Sequence, residues 1–254
     1  MDEHVKVLLV ILAVVFIGWL IVIVVDMVKD IRRIDKQING HVYVDLGLPS
    51  GLKWATCNVG ANFPTKCGTC FTWGKTEPYS KVDEKQGSPL RMEVLEKEPS
   101  TGGYTIETVR FVNTSDNEVG GSVSDNEDVD ENNISGNAHR DAARANWGST
   151  WRMPTCEEMG ELVESCCWQW VQLASGTVGF KVTGPNGDYI FLPGAANGNA
   201  VADDDTGNNS DGCYWTGESS NWQGLAYTLK IGKDLVSMGV GNTACGFYVR
   251  PISE

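Results

Sequence analysis

The hydrophobic pattern of this chain changes period several times, and each change marks an element. Val7 to Val25 is an unbroken apolar run without a charge. At 1.5 Å per residue it is long enough to cross a hydrocarbon core of about 30 Å, which predicts a transmembrane helix over 7–25 behind a short flank, 1–6. Asp26-Met27-Val28-Lys29 follows directly, with no small-residue cleavage site and no lipid-accepting cysteine, so an uncleaved anchor is read in preference to a cleaved signal. Met27, Ile31, Ile34 and Ile38 then recur at helical spacing. They predict an amphipathic stalk over 26–40, ending at Asn39-Gly40 and offering a surface for self-association.

From His41 the period becomes two. Val42 and Val44 alternate with Tyr43 and Asp45, a turn follows at Gly47 to Gly51, and Leu52 to Ala55 starts a second strand. Phe71-Thr72-Trp73 reads as a third. Val82 to Asn137 holds thirteen acidic residues against four basic ones. It is expected to be an acidic, largely solvated insertion with one hairpin, built around the β-prone stretch Tyr104 to Val112.

Helical spacing returns downstream. Asp141 is placed to cap Ala142 to Ala145, with Asn146 and Gly148 ending the turn. Thr155 and Glu158 form a capping-box pattern in front of Met159, Leu162 and Val163. Between these helices Trp147, Trp151, Arg152, Met153 and Pro154 form a structural centre that pins both to a sheet, with Arg152 expected to pair with a carboxylate. Gly179 to Pro193 is a hairpin around Gly-Pro-Asn-Gly. Four short strands close the chain, at Gly212 to Thr216, Ala226 to Ile231, Leu235 to Met238 and Gly246 to Ile252.

Several of these segments also carry a resemblance. Trp147-Gly148, Trp151-Arg152-Met153-Pro154-Thr155, the stretch VDLGLPSGLKWATCNVGA from Val44 to Ala61, and Phe71 to Pro78 are similar to the Fibrobacter succinogenes major paralogous (FISUMP-type) domain. So are the hairpin with its Phe191-Leu192-Pro193 exit, Tyr214-Trp215-Thr216, Ala226-Tyr227-x-Leu229 and Gly246-Phe247-x-Val249-Arg250-Pro251. The matches keep the family's order over about 41–80 and 139–252. The resemblance implies an α+β, C-type-lectin-like domain over 41–254, with two short helices on a small, mostly antiparallel twisted sheet, loop-rich and interrupted by the 82–137 insertion. It further implies that Trp54, Trp73, Trp147, Trp151, Trp168, Trp170 and Trp215 are core, and that Cys57 and Cys166 form a spatial pair.

Composition narrows the function. A net charge of −13 argues against nucleic acid, which needs clustered Lys and Arg. Eight cysteines permit disulfides in an oxidising compartment, with Cys57, Cys166, Cys67, Cys70, Cys213 and Cys245 as candidates. Cys67-Gly68-Thr69-Cys70 lacks a second ligand pair for zinc and the helix that a redox motif opens. Asp203, Asp205 and Asp211 are weak calcium candidates in an oxygen-rich loop that fits no EF-hand; no other cofactor is indicated. Lys29, Arg32, Arg33 and Lys36 follow the span and point the domain to the cytoplasm, whereas the cysteines and the family point it to the cell surface or periplasm.

No nucleophile elbow, phosphate loop or dinucleotide fingerprint is present, so catalysis is not expected, although formylglycine-generating enzymes share the broader fold. The sequence favours a membrane-anchored recognition or adhesion protein with a glycan or protein ligand, against a structural envelope protein without one. In some C-type-lectin-like proteins the last strands carry the ligand face. That places Glu218, Ser219, Asn221, Trp222, Gln223, Lys233, Asp234 and Asn242 on or near it, with Trp222 as an exposed anchor or a rim residue over the sheet edge.

Overall fold

The computed structural model describes residues 36–79, 132–194 and 212–254, the backbone of two strands at 90–99 and 105–113, and residues 4, 12 and 14–21. Residues 14–21 are helical, and the apolar side chains among them are exposed. Among the described residues no helix is long and apolar enough to cross a membrane, and more than half of the predicted span lies outside them.

In chain order the strands are β1 (Gln37–Ile38), β2 (His41–Asp45), β3 (Lys53–Ala55), β4 (Cys70–Thr72), β5 (Leu90–Pro99) and β6 (Thr105–Asn113). Two helices follow, α1 (Ala142–Trp147) and α2 (Cys156–Ser165). Then come β7 (Cys167–Gln172), β8 (Val178–Thr183), β9 (Tyr189–Pro193), β10 (Gly212–Ser219), β11 (Leu225–Gly232), β12 (Leu235–Asn242), β13 (Gly246–Tyr248) and β14 (Ile252–Ser253). The architecture is α+β and mostly antiparallel. Its sheets run β1-β2-β3-β14, β12-β11-β10-β13-β4, β5-β6 and β7-β8-β9, and among the described residues only the β10–β13 pair is parallel.

The five-stranded sheet separates two cores. Tyr214 lies opposite Leu229 and faces the first core with Leu46, Trp54, Met159 and Leu162. The next residue, Trp215, faces the second core with Ile134, Trp147, Trp151 and Met153. The strand period of two sends these neighbours to opposite sides, so one strand serves both cores. Trp54, Trp147, Trp151 and Trp215 are buried, as expected, whereas Trp73, Trp168 and Trp170 are half-buried at the margins.

Both helix caps form. The Asp141 carboxylate accepts from the backbone N–H of Ala143 and Arg144 at the start of α1, and Gly148 closes it. Thr155 and Glu158 make the reciprocal capping box of α2. Arg152 grips Glu158 through two hydrogen bonds of 2.8 and 2.7 Å, the carboxylate partner expected for it.

Three expectations are corrected. The helical stalk does not reach Ile38: Gln37–Ile38 is a strand that returns on His41–Val42. Asn39 and Gly40, at φ 47° and 79°, make the tight Asn-Gly turn that favours a hairpin over continued helix. Met27, Ile31 and Ile34 lie outside the described residues. The insertion ends before residue 132, because Ile134 is fully buried and its N–H donates to Gly217 O at 2.7 Å. No disulfide joins any of the eight cysteines, and the expected pair is divided between cores, with Cys57 packed against the second and Cys166 against the first. Cys167 to Gln172, a segment the sequence pattern leaves unassigned, forms the strand β7, paired along its length with β8.

A candidate binding groove beside the first turn of α2

The groove follows from incomplete helix cover. On one face of the β11–β12 ribbon the cross-strand pairs are Ile231–Val236, Leu229–Met238 and Tyr227–Val240. Met159, Leu162 and Val163 of α2 join Leu229, Ile231 and Val236 in the first core. The helix begins at Cys156, and beyond that point the apolar row continues without it. Tyr227, Met238 and Val240 floor a cavity of about 330 Å³ there, with Cys156 on one side and Ser220, Asn221 and Trp222 on another.

The loop that carries Trp222 is tied down by its own polar groups. Ser220 N–H donates to Leu225 O at 2.9 Å, and Leu225 N–H to Trp222 O at 3.1 Å. Ser220 Oγ accepts from Trp222 N–H at 3.2 Å, and Thr243 N–H reaches Gly224 O at 2.9 Å. Trp222 is nevertheless 48% exposed. A large apolar side chain held open on an ordered turn beside an apolar floor is how interfaces place an anchor.

The residues expected on the ligand face do not stay together. Asn221, Trp222 and Gln223 lie in the β10–β11 turn and are exposed. Asn242 is opposite Leu225 at the same end, but its side chain accepts from Ala244 N–H and shapes the β12–β13 turn. Glu218 is committed elsewhere: its carboxylate accepts from Cys156 N–H at 2.7 Å and from Asn133 Nδ2 at 3.4 Å, which neutralises the first turn of α2. Ser219 bonds Asn132 through both backbone and side chain. Lys233 and Asp234 occupy the β11–β12 turn, a full strand away, roughly 25 Å at strand rise. Antiparallel connection puts alternate turns at opposite ends of the sheet, so Lys233 and Asp234 are removed from this face.

Sequence reading also overlooked the floor. Tyr227, Met238, Val240 and Cys156 were not singled out, although Tyr227-x-Leu229-x-Ile231 already shows the alternation that puts Tyr227 on one face with Leu229 and Ile231. What could not be read is where α2 stops covering that row.

The groups of interest for catalysis have structural environments. Burial and the neighbouring Glu218 push the Cys156 thiol up to about 11, so it is protonated at neutral pH and a poor nucleophile. Cys70 is pushed to about 12, chiefly by burial, and Cys67 Sγ lies 3.4 Å from Gly194 O. His41 stacks on Trp147 with centroids 3.7 Å apart, and burial lowers its pKa. Among the described residues no group of three or more His, Cys, Asp or Glu side chains is placed to hold a metal ion, and Asp203, Asp205 and Asp211 lie outside them. No family model, curated protein or solved structure matches the chain.

Proposed function

We propose that this chain is a membrane-anchored, non-catalytic recognition protein, a C-type-lectin-like domain of the Fibrobacter succinogenes major paralogous type that holds a glycan or protein ligand in the groove beside α2. The observation that carries the reading is Trp222, exposed on a hydrogen-bonded turn next to an apolar floor that the helix leaves open. An indole beside Asn221 and Ser220 offers both an apolar face and amide and hydroxyl partners, a combination suited to a sugar ring or a peptide side chain. The ordered sequence motifs support the domain type. The charge-free run 7–25, whose described side chains are exposed, supports the anchor.

Display on the cell surface or in the periplasm fits a binding role, and the amphipathic stripe of Met27, Ile31 and Ile34 offers a place for self-association. The test is retention on glycan and protein arrays of the full chain in lipid nanodiscs. A ligand retained by the native chain and lost with Trp222→Ala or Asn221→Ala supports the groove. Absence of any retained ligand, or full retention by both variants, favours a structural envelope protein over this reading.

A further inference from the structure

We propose a second site, for a small amphipathic carboxylate, on the outer face of the β7–β8–β9 sheet, independent of the Trp222 groove. The inner face of this sheet is accounted for: Phe180, Val182, Ile190 and Leu192 are in the first core. The alternate residues point outward, and register sets Gln169, Lys181 and Phe191 in one row across the three strands. The chain segment from Thr56 to Thr65 rises beside this face, and the two enclose a cleft of about 360 Å³. That is at the lower end of the range of roughly 300–1,000 Å³ for small-molecule sites.

The cleft is built rather than incidental. Arg250 is fully buried and spans both of its walls, donating to Thr56 O at 3.0 Å on the loop side and to Phe191 O at 2.9 Å on the sheet side. The same guanidinium donates to Ala55 O and Asn58 Oδ1. A rigid fork bonded to both walls fixes the width before a ligand arrives, which lowers the ordering cost of binding. Gly179 lies beside the cleft: a Cβ there would come within 2.3 Å of Leu192 O and 2.7 Å of Phe191 Cζ, so the missing side chain makes room for both β9 and the Phe191 ring.

The lining sets the ligand class. Pro64, Val171, Leu173 and Phe191 supply apolar contact, and one cation stands among them. Lys181 Nζ lies 4.4 Å from the centroid of the Tyr189 ring, and among the described residues it has no carboxylate partner. A lone ammonium beside an apolar cleft complements a ligand with one negative charge on a short hydrophobic body. The carboxylate would meet Lys181, and an aryl or alkyl chain would lie between Pro64 and Phe191.

The experiment titrates the full chain in lipid nanodiscs with 4-phenylbutyrate, 4-phenylbutanol and 4-phenylbutylamine by calorimetry, with empty nanodiscs subtracted. The acid is expected to bind at least about tenfold tighter than the alcohol, and the amine more weakly still. Lys181→Met should bring the acid down to the level of the alcohol, Lys181→Arg should keep most of the preference, and Trp222→Ala should change nothing. Equal binding of acid and alcohol, unchanged acid binding in Lys181→Met, or no binding of the acid would overturn the site. Loss on Trp222→Ala instead would move the binding to the other groove and equally overturn it.

Discussion

Asp141 organises more of the molecule than its place as a helix cap suggests. One carboxylate oxygen accepts from Ala143 and Arg144, the other from Gly136 N–H at 2.7 Å and Met153 N–H at 2.8 Å. Burial pushes this carboxyl up while the four backbone donors pull it down. Asp141→Asn keeps the volume but turns an amide donor towards two of those N–H groups. Urea unfolding should show a loss of about 3 kcal/mol, the scale of two buried donors left unpaired. Arg152 and Glu158 give a pH test at the same scale. Burial alone would raise Glu158, but the guanidinium and the Thr155 N–H outweigh it and leave its carboxyl below the ordinary value. With the folded value depressed, the unfolded chain takes up the proton first as pH falls. The pair's contribution is therefore complete above about pH 4.3 and is lost as pH drops through the lower folded-state value. The difference in Tm between wild type and Arg152→Met should be largest near about pH 7 and shrink towards about pH 3. A difference that does not depend on pH would show that the pair stabilises only through packing.

Elements whose signals are local were legible in the sequence; those fixed by distant partners were not. The two caps and the Gly-Pro-Asn-Gly hairpin depend on residues within a few positions of one another, and they form as read. Gln37–Ile38 was misread because Ile38 fits a helical stripe as well as it fits a strand. The choice is made by the Asn39-Gly40 turn and by Trp151 Nε1, which donates to Ile38 O at 2.9 Å from across the fold. Likewise Asn132 to Ser135 sits at the end of a polar stretch, and its partners on Gly217, Glu218 and Ser219, distant in sequence, show why it is held. A Cβ on Gly217 would come within 2.8 Å of Ser135 Cβ and 3.0 Å of its backbone N. Gly217→Ala should therefore push this strap off β10, seen as faster hydrogen exchange at the Ile134 amide, whose bond to Gly217 O would be lost. Protection equal to wild type would mean that the strap yields without detaching.

On the scale of the whole molecule, the five-stranded sheet gives the domain two ends with different prospects. The β10–β11 end has the open groove and Trp222; the β11–β12 end has Lys233 and Asp234 on a plain turn. The thiols report which way the molecule faces. Cys167 is exposed, while the other seven cysteines are half-buried. A membrane-impermeant maleimide applied to intact cells should modify Cys167 first if the domain is displayed outward, and Cys167→Ser should remove that rapid phase. Labelling of the native chain only after cells are opened would place the domain inside, as Lys29, Arg32, Arg33 and Lys36 suggest. The account turns most directly on which end of the sheet binds. For a ligand retained on the arrays, affinities of Trp222→Ala and of the double variant Lys233→Ala, Asp234→Ala should be compared with wild type. The account predicts a loss of about tenfold or more for Trp222→Ala, as for an anchor at the centre of a contact, and no change for the double variant. The reverse pattern would contradict it.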